Sequence, residues 1–201
     1  FPRDAAAWCN STGNQLISKE AAGGKSVVVI EKGEPKSCNI VTSCEGKGKT
    51  FIMFSDDLDK ALATFVLANG AAATGQKVTI FFTFWGLNVI KKLHKPNVEK
   101  DIFGKMFGMM LPSSSRKLKL SKMSMGGIGG KMMRYIMNRK GIDSLESLRQ
   151  QALENGVEFI ACQMSMDVMG VKQEELLDEV TIGGVATYME RADNANINLF
   201  I

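Results

Sequence analysis

The stretch VEFIACQMSMDVM, residues 157–169, decides the fold class of this 201-residue chain. Residues 157–161 form a short and largely apolar run, which is typical of a buried strand, and a helical pattern begins two residues later. The same succession of buried strand and helix starts at residue 49 and again at residue 77. Strands that alternate with helices form parallel crossover units. The sequence therefore predicts an α/β fold with a doubly wound, mostly parallel sheet.

Apolar periodicity and turn residues set approximate bounds for these elements. Ser144 is the predicted N-cap of one helix, and Gly156 ends that helix before the strand of residues 157–161. The predicted strands cover residues 49–54, 77–85, 157–161 and 197–201, and the predicted helices cover residues 58–74, 86–93, 144–155, 163–169, 173–178 and 185–192.

The composition is that of a globular protein, with 45% hydrophobic and 23% charged residues. No run of 18 apolar residues occurs, which argues against a membrane-spanning helix. The four cysteines are too few and too scattered for a secreted disulfide framework, so we expect a cytoplasmic location. The chain begins at Phe1 without a leader-like segment, and we interpret it as part of a longer polypeptide.

Charge is distributed very unevenly along the chain, whose net charge is +4. Residues 91–141 contain 13 Lys and Arg against two acidic residues, a local net charge of +11, so the other 150 residues sum to −7. Eight of the 13 methionines fall in the same window. Residues 95–141 also interrupt the alternation of strands and helices. Because a structureless loop of this length is unusual in a compact domain, we expect helices over residues 102–111 and 130–138.

Three roles compete for this basic, Met-rich insertion. Flexible thioether side chains suit a lid or a partner-binding surface. Basic amphipathic helices also suit contact with a membrane surface, here through residues 100–140. Few aromatic residues lie among the lysines, which argues against a nucleic-acid partner. The glycines of residues 126–130, followed by Lys131, lack the preceding strand and the GK[ST] ending of a phosphate-binding loop.

Patterning divides the chain into three segments. Residues 1–33 combine a short helix with two strands that turn at the glycines 23–24, which is too little to bury a core alone. Residues 34–48 are polar and lack a sustained period, so they are predicted to be a linker. Residues 49–201 contain the predicted sheet and its insertion, and they form the second unit.

Cys162 is the best-placed reactive residue. It lies where the strand of residues 157–161 ends and the next helix begins, and ligands of open α/β sheets bind beyond the carboxyl ends of strands. A helix N-terminus also favours the thiolate, which is the nucleophilic form of cysteine. Two interpretations stay open from position alone. Cys162 is either a nucleophile or sulfur carrier, or it is buried for packing, as free cysteines often are.

The residues that follow Cys162 define the predicted surroundings of its thiol. Gln163, Met164 and Ser165 supply the first backbone N–H groups of the helix and part of a pocket wall. Asp167 adds negative charge nearby. These four residues are the predicted supporting site.

No metal site and no cofactor site is predicted. Cys38 and Cys44 lie in the linker without the second ligand pair that a zinc site requires. His94 is the only histidine and lies among lysines, which excludes a His-rich metal site. The GxGxxG fingerprint of dinucleotide binding is missing after the first predicted strand, which argues against a nucleotide or flavin pocket.

Two stretches of the second unit resemble a known family. FIACQMSMDVMG, residues 159–170, and IGGVATYMERADNANINLFI, residues 182–201, are similar to DsrE/DsrF-like domains of the branch with a long Met-rich insertion. The resemblance covers residues 49–201. It implies cytoplasmic sulfur trafficking, in which a persulfide passes from one cysteine to another, and homo-oligomers built on trimers. The sulfur-accepting cysteine of the family corresponds to Cys162.

Residues 1–33 resemble the C-terminal half of a TusA-like sulfur-carrier domain through the segment FPRDAAAWCNSTGNQLIS. This arrangement implies a longer chain with rhodanese-like and CoA-disulfide-reductase-like domains, and these domains and TusA-like proteins are then the persulfide donors and acceptors. The active Cys-Pro motif of TusA-like domains is missing here. Cys9 falls in the second helix of the resembled domain, so we do not assign it the carrier role.

These observations predict a sulfur-relay module in which Cys162 carries sulfane sulfur between thiol partners without an organic cofactor. No pattern indicates turnover, so a sulfurtransferase-like carrier is expected rather than an enzyme. The alternative is a non-catalytic module in which Cys162 is passive. In that case the basic insertion mediates oligomer, partner or membrane-surface contact.

Overall fold

The structure of the chain is a computed structural model that describes residues 9, 14–22, 25–31, 48–94, 96, 98 and 102–201. Within these residues, seven strands form two separate sheets. The smaller sheet is an antiparallel hairpin of β1 (Gln15–Ala22) and β2 (Lys25–Glu31). The predicted helix before it, apart from residue 9, and almost all of the predicted linker lie outside the described residues.

The larger sheet has five strands, and all four neighbouring pairs are parallel. The strand order is β6-β5-β4-β3-β7. The strands are β3 (Gly48–Met53), β4 (Val78–Phe82), β5 (Glu158–Cys162), β6 (Thr181–Gly183) and β7 (Ala195–Phe200). The helices are α1 (Leu58–Ala73), α2 (Ile102–Met110), α3 (Ile128–Arg139), α4 (Leu145–Glu154), α5 (Gln163–Met169) and α6 (Val185–Asp193).

Helices cover both faces of this sheet, so the predicted doubly wound α/β fold is confirmed. Successive residues of a strand point to opposite faces. Ile80 and Phe82 therefore join the large core with α1 and α4, whereas Phe81 between them packs with Tyr188 of α6. All five residues of β4 are buried, as expected for a strand that is covered on both sides.

Aromatic packing ties the large core together. The ring of Phe65 in α1 lies 6.4 Å from that of Phe82 in β4 and 5.7 Å from that of Phe159 in β5. The two strand rings are 5.4 Å apart and meet edge to face. Burying one such side chain contributes roughly 1.5–3 kcal/mol. These contacts hold α1 and the two central strands in one layer arrangement.

The Met-rich insertion is folded against the carboxyl edge of the sheet. Its helices α2 and α3 occupy the residues that were predicted to be helical. Leu111 and Leu118, between these helices, are buried in the large core. The backbone N–H of Leu58 donates to the carbonyl of Lys119 over 2.7 Å at the start of α1. The insertion is thus an integral part of the domain.

Two stretches differ from the sequence prediction. The predicted strand of residues 77–85 ends at Phe82, and a 3-10 helix (Phe84–Ile90) follows it. The cause is a close approach at Gly86, where a Cβ would lie 1.9 Å from the carbonyl oxygen of Met53. The predicted helix of residues 173–178 is only a 3-10 turn (Gln173–Glu175), which is followed by the unpredicted strand β6.

None of the helices in the described residues combines the length and the apolar character that crossing a bilayer requires.

Candidate functional site

Cys162 is the last residue of β5 and the N-cap of α5. It lies at the carboxyl edge of the parallel sheet, where it pairs in register with Gly183 at the end of β6. The next residue, Gly184, is the N-cap of α6. Two helices therefore begin beside Cys162, and each helix start carries partial positive charge.

The side chain of Cys162 points to the α6 face and is 2% exposed. It belongs to a small apolar cluster with Phe81, Ile160 and Tyr188. The rings of Phe81 and Tyr188 lie 5.2 Å apart, and the Tyr188 hydroxyl is 3.2 Å from the Thr50 hydroxyl. The thiol is therefore shielded from solvent in this conformation, and α6 is the element that covers it.

Gly183 allows β6 and α6 to approach β5 at this point. A Cβ on Gly183 would lie 2.9 Å from Cγ2 of Ile160 and 3.3 Å from Cβ of Thr187. Contacts this short require the neighbouring side chains to shift. The small residue opposite Cys162 thus keeps the thiol cluster closely packed.

The four predicted supporting residues have different surroundings. Gln163 donates through Nε2 to the Asp167 carboxylate over 3.1 Å, one helical turn later, on the outside of α5. Met164 is 49% exposed. Ser165 is fully buried and bonds to the hydroxyl of Thr83 at 2.8 Å. The structure therefore brings only Ser165 into the interior beside the sheet edge.

Comparison with known proteins places this sheet and its cysteine in a family. A family model described as DsrE/DsrF/DrsH-like matches residues 46–200. The chain belongs to this family. The match includes Cys162 and all five strands of the larger sheet. Residues 1–45 lie outside it, so the TusA-like resemblance of residues 1–33 stays a prediction.

Two curated proteins are similar to the chain over most of their length. The uncharacterized protein YrkE of Bacillus subtilis (strain 168) is 44% identical over 155 residues, which cover 77% of this chain and 97% of that protein. The sulfur carrier protein DsrE2 of Allochromatium vinosum is 38% identical over 161 residues, which cover 78% of this chain and 99% of that protein. Among solved structures, the E. coli YchN protein aligns with a TM-score of 0.46 and 11% identity over 77% of this chain and 99% of that one.

Cys162 is the only cysteine in residues 46–200, the part of the chain that matches the DsrE/DsrF/DrsH-like family. The other described cysteine, Cys9, is also buried and unbonded, but it lies outside the family match. Among the described residues, no group of three His, Cys, Asp or Glu side chains is placed to hold a metal ion.

The prediction missed Thr83, which follows the last residue of β4. Its hydroxyl bond to Ser165 joins the end of that strand to the first turn of α5. The only sequence signal for this hydrogen bond is a polar residue directly after the apolar run of β4. Thr83 thus helps to fix the helix that begins at Cys162.

A second missed group lies beyond the end of β3. Asn88 is fully buried and donates through Nδ2 to the Asp56 carboxylate over 2.9 Å. Burial raises the pKa of Asp56 above its ordinary value, and the hydrogen bond from Asn88 offsets this only in part. The Oδ1 atom of Asn88 has no hydrogen-bond partner among the described residues. The acidic pair at residues 56–57, directly after a buried strand, is the sequence signal for this group.

The insertion of this family member reaches the helix of Cys162 from the other side. A Cβ on Gly170, the C-cap of α5, would lie 2.4 Å from the Cα of Gly104 in α2. The backbones of the two helices are therefore in direct contact. No insertion residue belongs to the described cluster around the thiol. The insertion thus contacts the end of α5, whereas the Cys162 side chain packs on the opposite side of the sheet, toward α6.

A cleft of about 720 Å³ lies between α3, α4 and the start of α1. Arg134 and Glu146 form an ion pair across it at 3.1 Å, and the Ser115 hydroxyl donates to the same carboxylate over 2.9 Å. The Arg134 charge holds the pKa of Glu146 below its ordinary value, although partial burial acts in the opposite direction. Cys162 does not line this cleft, so the cleft is separate from the thiol cluster.

Proposed function

We propose that this chain is a sulfur carrier that holds sulfane sulfur as a persulfide on Cys162 and passes it between thiol partners in cytoplasmic sulfur metabolism. The observation that carries the proposal is that Cys162, at the carboxyl end of β5, is the only cysteine in the matched residues 46–200. The family and a relative named a sulfur carrier protein support a sulfur-related role.

The transfer is a pair of thiol exchange steps on sulfur. In loading, the Cys162 thiolate attacks the outer sulfur of a donor persulfide, a new S–S bond forms, and the donor leaves as a thiolate. In unloading, an acceptor thiolate attacks the outer sulfur on Cys162, and the Cys162 thiolate leaves. Each step forms one S–S bond and breaks another. The exchange therefore needs neither an external oxidant nor a reductant.

Burial sets a condition for this exchange. Because Cys162 is 2% exposed beneath Tyr188, the sulfur meets a partner only in a conformation in which α6 has moved away from the cluster. The closed conformation then shields a bound persulfide from water and from other thiols. Met164 and Val185, at the starts of the two helices beside Cys162, are exposed.

The proposed partners are rhodanese-like and TusA-like domains as donors and acceptors, and the proposed assembly is a homo-oligomer built on trimers. Exposed apolar side chains support a subunit contact. Val66 and Leu67 of α1 are 57% and 47% exposed, and Ile197 and Leu199 of β7 are 41% and 40% exposed.

Persulfide loading followed by intact-protein mass spectrometry tests the proposal. The chain is incubated with a persulfide donor, and we expect a gain of one sulfur atom that a thiol acceptor removes. Cys162→Ser is expected to lose the gain, while the matched control Cys9→Ser keeps it. A Cys162→Ser protein that still gains one transferable sulfur would contradict the assignment.

A further inference from the structure

One side of α3 is apolar and exposed to solvent. Its stripe residues recur at a helical spacing of three and four, so they form one continuous strip along the helix. The opposite side of α3 is buried through Gly129, Gly130 and Met137. The stripe residues are Ile128 (65% exposed), Met132 (47%), Tyr135 (61%) and Ile136 (38%).

Two further exposed methionines lie in the turn directly before α3. Met123 and Met125 are 69% and 68% exposed. Both have a positive φ, 57° and 41°, which is unfavourable for a residue with a long side chain. A Cβ on Gly129 would lie 2.1 Å from the carbonyl oxygen of Met123, so this turn packs directly against the first turn of α3. Backbone strain is thus retained at two exposed apolar side chains.

Basic residues flank the strip, and the segment that contains it has no acidic residue. Residues 102–141 contain nine Lys and Arg and no Asp or Glu. Lys122 is exposed beside the strained turn, and Lys131 and Arg139 are exposed on α3. The methionine face is defined as the apolar residues Met123, Met125, Ile128, Met132, Tyr135 and Ile136 together with these three basic residues.

We propose that the methionine face binds the surface of an anionic lipid bilayer. The apolar side chains enter the headgroup region, and the flanking cations contact lipid phosphates. Tyr135 has an apolar ring with a polar hydroxyl, which suits the boundary between headgroups and acyl chains. None of the six apolar residues lines the cleft beside α3.

Two sets of variants separate the apolar and the ionic parts of this contact. Met123→Asn with Met125→Asn removes two apolar side chains, and asparagine tolerates a positive φ better than methionine, so the fold is retained. Lys122→Gln, Lys131→Gln and Arg139→Gln together remove three charges. The matched control is Val168→Ser with Met189→Ser, which removes exposed apolar groups from α5 and α6, outside the basic residues 102–141.

Co-sedimentation of the full chain with vesicles measures the binding. We expect binding to phosphatidylcholine vesicles that contain phosphatidylglycerol, and about tenfold weaker binding to pure phosphatidylcholine. Each methionine-face set is expected to weaken binding about tenfold, and added salt acts in the same direction. The Val168→Ser, Met189→Ser control binds like the unchanged chain, and thermal unfolding verifies that all variants are folded.

Three results would overturn the proposal. The first is equal binding to both kinds of vesicle, or to neither. The second is full retention of vesicle binding by both methionine-face sets. The third is a lower oligomer mass of the Met123→Asn, Met125→Asn protein in light scattering, because the face would then be a subunit contact.

Discussion

The hydroxyl oxygens of Thr83 and Ser165 lie 2.8 Å apart in the protein interior. Thr83 follows β4, and Ser165 stands in the first turn of α5, three residues after Cys162. The bond therefore ties the start of the Cys162 helix to a central strand. The placement of the thiol depends on this polar contact as well as on apolar packing.

Removing one partner of this pair is expected to destabilise the fold. Ser165→Ala leaves the Thr83 hydroxyl buried without its partner, which costs about 1–3 kcal/mol. Thr83→Val combined with Ser165→Ala removes both hydroxyls and is expected to recover part of the loss. Urea unfolding of the unchanged chain, Ser165→Ala, Thr83→Val and the double variant measures the four free energies. Losses that simply add up in the double variant would show that the two hydroxyls do not interact.

A methyl group on Gly183 is expected to disturb the cluster around Cys162. In Gly183→Ala the new Cβ lies 2.9 Å from Cγ2 of Ile160, and overpacking of this kind costs about 1–3 kcal/mol. Gly70→Ala is the matched control, because a Cβ at Gly70 meets nothing within 4 Å inside α1. The control is expected to gain about 0.5–1 kcal/mol from helix propensity. Thermal or urea unfolding tests both, and a neutral Gly183→Ala would be inconsistent with the close packing described.

Tyr188 is expected to control the reactivity of Cys162. Tyr188→Ala removes the α6 ring that shares a cluster with the thiol, so modification by a maleimide is expected to accelerate about tenfold or more through easier opening. Met189→Ala, at the next position of α6, is the control and leaves the rate unchanged. The rate is followed by mass spectrometry of Cys162. Equal rates for all three proteins would show that α6 does not gate the thiol.

Acid is expected to weaken the fold through Glu158. Partial burial acts to raise its pKa, but hydrogen bonds from Arg191 and Thr79 prevail and hold the pKa below the ordinary value of 4.5. A carboxylate whose pKa is lowered on folding stabilises the folded state at any pH above its ordinary pKa. This contribution is lost as the pH falls through the folded-state pKa.

The corresponding variant is Glu158→Gln. We expect a loss of about 1 kcal/mol at pH 7, since the pair with Arg191 is partly exposed, and a flatter decline of stability below pH 4.5. Urea unfolding at several pH values measures the slope. Glu174→Gln, at an exposed position, serves as the control and keeps the slope of the unchanged chain. An identical slope for Glu158→Gln would exclude the proposed role of this carboxylate.

The parallel sheet could be predicted because each of its central strands is recognisable from its own sequence. β3, β4 and β5 are short apolar runs, and each is followed within a few residues by a helical pattern or a turn. The position of Cys162 at a strand end followed from the same pattern. β6 escaped prediction because a strand of three residues shows no recognisable period.

The surroundings of the thiol could not be predicted, because they depend on contacts between distant parts of the chain. Thr83 and Ser165 are 82 positions apart in the sequence. The direction of the Cys162 side chain depends on strand alternation, and its 2% exposure depends on α6, which follows a further strand. Local sequence patterns do not determine the direction or the burial of the Cys162 side chain, so the solvent access of the sulfur could be described only from the structure.

The contact between Gly104 and Gly170 connects the insertion helix α2 to the end of α5. The two backbones meet so closely that α2 cannot slide without pushing the end of α5. α5 is a short rod of seven residues, and Cys162 caps its opposite end. A shift of α2 would therefore move α5, and with it Cys162.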